Sequence, residues 1–166
     1  MTDFVAELYA QYRDSLVRML VRRTGDRDRA EELTQEVFAR AVAAPPRNPR
    51  PWLFAVALNL VREEGRKYVR QGRRLELYRA EMPTATSSPD DEMIREERIA
   101  GVRKALGTLS DRDREALLLQ AEGMNYDDIA ATIGLAKGAI GTTLARARRR
   151  FVESYRAEEG KSNVAS

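Results

Sequence analysis

The chain contains no cysteine and no histidine among its 166 residues, and it has a single tryptophan. Without cysteine there is no disulfide and no thiol redox chemistry, and without either residue there is no Cys/His zinc site. Histidine is also the commonest general base, so its absence removes the usual centre of acid–base catalysis. Carboxylates are plentiful, but they lie among basic partners at helical spacing and read as solvated faces and ion pairs. The composition argues against an enzyme, and no cofactor, metal or small-molecule substrate is expected. No apolar run approaches the ~20 residues of a membrane span. The opening MTDFVAELYAQYRD carries acids and lacks the basic-then-apolar order of a signal peptide, so a cytoplasmic protein is expected. Strand-like alternation and internal repeats are missing too.

What remains is a helix-forming chain with 33% charged and 43% hydrophobic residues, long enough for one ordinary domain or two small ones. Its net charge of +3 is unevenly spread. Residues 1–75 hold 15 Lys/Arg against 10 Asp/Glu, residues 76–99 hold 3 against 7, and residues 100–166 hold 11 against 9. Two basic bodies separated by an acidic connector suit binding to a polyanion.

Helical periodicity organises the first half. Val5, Leu8, Tyr12, Leu16, Met19 and Leu20 form one apolar stripe over about Asp3 to Arg23, and Thr24-Gly25-Asp26 ends it. Asp26 or Asp28 can cap a second helix that buries Ala30, Leu33, Val37 and Ala41 and presents Glu31, Glu32, Gln35 and Glu36 on its other side. Four prolines between Pro45 and Pro51 predict a stiff exposed loop, with Pro51 in the first turn of a third helix. Trp52, Leu53, Val56, Ala57 and Leu60 form the core face of that helix, with Trp52 as a packing anchor. Asn59, Arg62, Glu63, Arg66, Lys67 and Arg70 share another side, which reads either as a solvated face or as a track for a phosphate backbone.

Order fades from Gln71, and Met82-Pro83-Thr84-Ala85-Thr86-Ser87-Ser88-Pro89 has linker composition. A helix from about Asp90 offers Met93, Ile94, Ile99, Val102 and Leu106 as core positions, and Leu109-Ser110-Asp111 leads into another carrying Ala116, Leu117, Leu119 and Gln120. After Gly123, the stretch NYDDIAATIGLAKGAIGTTLARARRR reads as two helices with Asn125 as N-cap and Gly134 at the turn. Tyr126, Ile129, Ala130 and Ile133 mark the first, and Ile140, Leu144, Ala147 and Phe151 mark the second. This is either a plain helical hairpin or a helix-turn-helix that lays its second helix in the DNA major groove.

Taken together, these segments resemble a bacterial extracytoplasmic-function (ECF) sigma factor, with the second and fourth sigma domains only, from about Val5 to Val152. Asp28-Arg29-Ala30-Glu31-Glu32-Leu33-Thr34-Gln35-Glu36-Val37-Phe38 looks like that family's polymerase-binding helix, and Trp52 to Asn59 like its promoter-melting helix. Leu109-Ser110, Arg114-Glu115, Asp128-Ile129-Ala130 and Arg146-Ala147-Arg148 match its helix-turn-helix domain. The resemblance implies an all-α fold of two small helical domains joined by a flexible linker. Residues 1–74 would be the second sigma domain, 75–91 the linker, 92–156 the fourth domain and 157–166 a frayed tail. It implies core RNA polymerase, promoter DNA and an anti-sigma factor as partners. Glu32, Gln35, Glu36 and Phe38 would contact polymerase. Arg47, Asn48, Asn59, Arg62, Arg66, Lys67 and Arg70 would read and melt the minus-ten element. Lys137, Thr142, Thr143, Arg146 and Arg149 would serve the minus-thirty-five element.

Two departures from the family pattern stand out. The recognition helix opens Ala136-Lys137-Gly138-Ala139-Ile140-Gly141-Thr142-Thr143, without a small polar cap, and Gly141 costs it ~1 kcal/mol relative to Ala. Its threonines offer no bidentate guanine contact, so weaker or altered minus-thirty-five reading is expected. The loop is Pro-rich where relatives carry an aromatic residue. The competing readings are a sigma-like decoy for an anti-sigma factor and a freestanding helix-turn-helix regulator, which would need a dimerisation element.

Overall fold

A computed structural model describes residues 2–71 and 89–164, with side chains at 3–66 and 90–161. Among these residues all regular structure is helical: α1 (Thr2–Thr24), α2 (Arg27–Ala43), α3 (Pro49–Gln71), α4 (Pro89–Gly107), α5 (Asp111–Ala121), α6 (Tyr126–Ile133) and α7 (Lys137–Val164). No helix there is long and apolar enough to cross a membrane.

Local chemistry places the breaks. Gly25 takes φ +72° at the α1–α2 corner, a conformation that needs no Cβ. Asp26 then caps α2, its side chain accepting from the Arg29 N–H at 3.1 Å. The short link makes α1 and α2 fold back on each other, and α3 packs across both. In the C-terminal half Ser110 caps α5 and Asn125 caps α6, and α4, α5 and α6 all pack on α7.

The apolar stripes predicted for α1 and α2 are buried, with Tyr12 packed at the core margin. α3 exceeds its predicted face: Phe54, Leu58 and Val61 are buried beside Leu53, Ala57 and Leu60. The reason is position, because α3 meets α1 and α2 and also packs against α6 of the other half. With α1 touching α4 and α5, the two halves share one apolar cluster rather than standing apart.

Several boundaries and core positions differ from expectation. α3 begins at Pro49, inside the predicted loop, because proline needs no N–H partner in a first helical turn. Met93 and Ile94 are exposed, and burial in α4 becomes complete only at Ala105 and Leu106. Tyr126 is exposed as well. The expected tail instead continues α7 to Val164, where Glu158 is held by Lys104 at 3.1 Å. Residues 75–88 of the predicted linker lie outside the described residues, and α4 starts within the remainder.

Candidate nucleic-acid and polymerase interface

On α2, Glu32, Gln35 and Glu36 are exposed together, one turn apart. Glu32 holds Arg29 at 2.5 Å, and Arg29 also reaches Glu64 on α3, tying the two helices. Glu36 pairs with Arg40 at 3.3 Å. Exposed pairs of this kind are worth ~0–1 kcal/mol and open readily to a competing partner. Phe38 does not belong with them. Its ring is buried, edge-on to Tyr9 with centroids 5.0 Å apart, because position 38 falls on the inward side of α2 next to Val37.

Asn59, Arg62 and Arg66 form a stripe along α3 at helical spacing, with Asn59 and Arg66 exposed. Arg47 and Asn48 are exposed in the preceding loop. Arg62 donates through Nη1 to the Asn59 Oδ1 at 3.3 Å, and through Nε and Nη2 to Glu115 of α5 at 2.7 and 2.5 Å. The structure thus places three of the predicted minus-ten residues, Asn59, Arg62 and Arg66, along one helix and adds a carboxylate from the other half. The side chains of Lys67 and Arg70 lie outside the described residues.

The α6–turn–α7 unit has the geometry of a helix-turn-helix. Gly134 sits at φ 72°, ψ 33°, and the N–H groups of Gly134 and Leu135 both donate to the Ala130 carbonyl. Ile129, Ile140, Leu144 and Ala147 lock the helices together. Thr142 and Arg149 are exposed on α7, and Lys137 pairs with Asp127 at 3.0 Å in solvent. Thr143 is buried and donates to the Ala139 carbonyl at 2.7 Å, which removes it from the predicted DNA-contact set. Arg146 is committed elsewhere: its fork donates to both oxygens of buried Asp113 at 2.7 and 3.1 Å. Those hydrogen bonds hold the Asp113 carboxyl below its usual range against the opposing push of burial. Arg146 therefore acts as a strut between α5 and α7.

No local sequence pattern marks the residues that join the halves. Glu122, whose side chain is 2% exposed, accepts from Ser15 at 2.7 Å, Arg18 at 3.1 Å and Arg22 at 2.6 Å. Arg50 donates to the Glu122 carbonyl at 3.1 Å and lies 3.8 Å from Asp128. These partners stand 72 to 107 residues from Glu122, beyond the reach of any local periodicity.

An exposed acidic helix face together with a C-terminal helix-turn-helix is the build of a DNA-binding transcription protein. Residues 8–74 match the family description "Sigma-70 region 2" and residues 100–151 match "Sigma-70, region 4". The chain is 36% identical over 146 residues to the ECF RNA polymerase sigma factor EcfG of Rhodopseudomonas palustris, covering 82% of this chain and 77% of that one. Its fold is similar to CnrH, solved in complex with the cytosolic domain of CnrY, with a TM-score of 0.68 at 25% identity over 95% and 90% of the two chains. It is also similar to the sigma factor RpoE, solved with the anti-sigma factor NepR from Bartonella quintana, with a TM-score of 0.64 at 27% identity over 94% and 98%. The chain belongs to the ECF sigma factors of the sigma-70 family, which direct transcription initiation by RNA polymerase.

Proposed function

We propose that this sigma factor docks on core polymerase through Glu32, Gln35 and Glu36, and opens its promoter with the α3 stripe. The exposed, adjacent placement of these three α2 side chains on a capped helix carries the docking assignment. Asn59 and Arg66, with Arg47 and Asn48 of the loop, read the minus-ten strand, and Arg62 joins them once its contact with Glu115 is broken. In the sequence Lys67 and Arg70 continue that track. Flipping a base from the duplex costs a few kcal/mol, which a basic strand track helps to offset.

The helix-turn-helix engages the minus-thirty-five duplex through Lys137, Thr142 and Arg149, with Arg146 keeping α7 at its angle to α5. The outward residues Gly138, Thr142 and Ala145 are small, so this contact depends on backbone fit and phosphates more than on bidentate base readout. An anti-sigma factor is a partner by analogy with the RpoE–NepR complex, and the site of action is the cytoplasm.

Run-off transcription tests the reading. Bacterial core polymerase is mixed with fragmented host DNA, with and without the chain. New transcripts sharing an upstream motif are expected. Core binding without transcripts would favour a decoy, and no core binding would favour a freestanding regulator.

A further inference from the structure

One corner of the seam between the two halves carries an excess of positive charge. Arg23 lies half-buried in the last turn of α1, a helix that packs against both α4 and α5. Arg103 of α4 crosses to the same corner: its Cδ lies 3.0 Å, and its Nη1 3.6 Å, from where a Cβ on Gly25 would stand. Arg114 of α5 completes the group, with its side chain only 10% exposed and its charge felt at Arg23. The carboxylates that act on Arg23 are Asp111 and Glu115, and both are already engaged. Asp111 accepts from Arg114 at 2.9 Å, and Arg62 donates to both oxygens of Glu115. Among the described residues the guanidinium groups of Arg23 and Arg103 have neither a hydrogen bond nor an ion pair. With Glu115 balanced by Arg62, three arginines face Asp111 alone, an excess of two positive charges.

Simple packing does not account for the corner. The carbonyl end of α1 attracts a cation in its last turn, and an arginine stem can fill a crevice whatever its charge does. Yet burial first, and then Arg114 and Arg103, pull the Arg23 guanidinium down to about 10, so its surroundings oppose the charge. At neutral pH Arg23 still carries that charge, and a charge taken out of water without a counter-ion is unfavourable. Asp111 is the first residue of α5, so the positive end of that helix adds to the field.

We infer that this corner is a phosphate site, in which Arg23, Arg103 and Arg114 hold the terminal phosphate of a small phosphorylated solute. A terminal phosphate carries about 1.5 to 2 negative charges at pH 7, which matches the local excess. Guanidinium forks suit its oxygens better than ammonium groups do. A nucleic-acid phosphate carries a single charge and is flanked by sugars on both sides, a poor match for a corner whose inner wall is buried Arg114. Exposed Arg103 forms the entrance. None of the three arginines belongs to the polymerase or promoter sets. One ligand then binds α1, α4 and α5 together, and its concentration sets part of the stability of the folded chain.

The test uses the full chain with inorganic phosphate as the probe and potassium chloride at matched ionic strength as the reference. Thermal unfolding gives the midpoint, and isothermal titration gives the affinity. Phosphate is expected to raise the midpoint of the parent chain above its chloride value. Arg23→Met keeps the apolar stem and removes the charge. It is expected to raise the midpoint in chloride and to weaken phosphate binding at least about tenfold, as loss of one charge-assisted hydrogen bond does. Arg103→Met, at an exposed position that folding tolerates, is expected to weaken binding similarly, whereas Arg156→Gln at another exposed position should leave it unchanged. The site is overturned if phosphate does not raise the parent midpoint, if Arg103→Met binds phosphate like the parent, or if Arg156→Gln loses as much. A lower midpoint for Arg23→Met in chloride, with its phosphate response kept, assigns Arg23 to packing and also overturns it. A fluorescein-labelled random DNA duplex, titrated at fixed salt, should bind parent and Arg103→Met alike. A parallel loss there assigns the corner to nucleic acid and overturns the small solute.

Discussion

Replacing Phe38 by alanine separates a core residue from a docking residue. The ring is 5% exposed and stacks edge-on against Tyr9, so its removal deletes a buried side chain and an aromatic pair. Phe→Ala changes in cores cost ~3–5 kcal/mol. Tyr9 is itself 41% exposed, so the space can partly collapse and the lower end, ~3 kcal/mol, applies. With a urea slope of ~1–2 kcal/mol/M for a body this small, the unfolding midpoint falls by on the order of 2 M. Trp52, the single tryptophan, sits in α3 and reports the N-terminal body by fluorescence. Phe38→Leu keeps most of the apolar volume and is expected to bind core polymerase like the parent chain. An unchanged midpoint in Phe38→Ala, together with lost polymerase binding, would refute the assignment of Phe38 to the core.

Three further outcomes follow from the geometry. Glu36→Lys should weaken polymerase binding at least tenfold in a fluorescence titration while shifting stability by no more than ~0.5 kcal/mol, because position 36 is exposed. Asp113 has a folded-state pKa below its unfolded value, so its contribution is fully present above the ordinary carboxylate range and is lost as pH falls through the depressed value. Asp113→Asn should therefore flatten the acid limb of the C-terminal half's stability, followed by circular dichroism; an unaltered acid limb would count against the strut. Gly141→Ala should stabilise that half by ~0.5–1 kcal/mol in thermal unfolding, since a Cβ there meets Tyr126 at an ordinary 3.7 Å.

The fold was legible wherever one helix face met one partner. The stripes of α1 and α2, the caps Asp26, Ser110 and Asn125, and the turn at Gly134 all follow from local patterns. α3 was only half legible, because a helix packed from several sides buries Phe54, Leu58 and Val61 outside any single stripe. Helical spacing brought Asn59, Arg62 and Arg66 to one side of α3 and the family resemblance gave them a role, but a family motif does not separate side chains that differ by one position in facing. Phe38 and Thr143 turn inward for that reason, and Arg146 is taken up by Asp113. The seam was invisible because its charges meet only after the whole chain has folded.

The Glu122 cradle bears on how such proteins can be recombined. A C-terminal half grafted onto a foreign N-terminal half would bring this carboxylate without Ser15, Arg18 and Arg22 to receive it. Either the graft would leave a charge stranded at the joint, or the two halves would stay apart. For this chain, then, the unit of exchange is the matched pair of halves, and swapping promoter specificity piecewise means transplanting both sides of the cradle together.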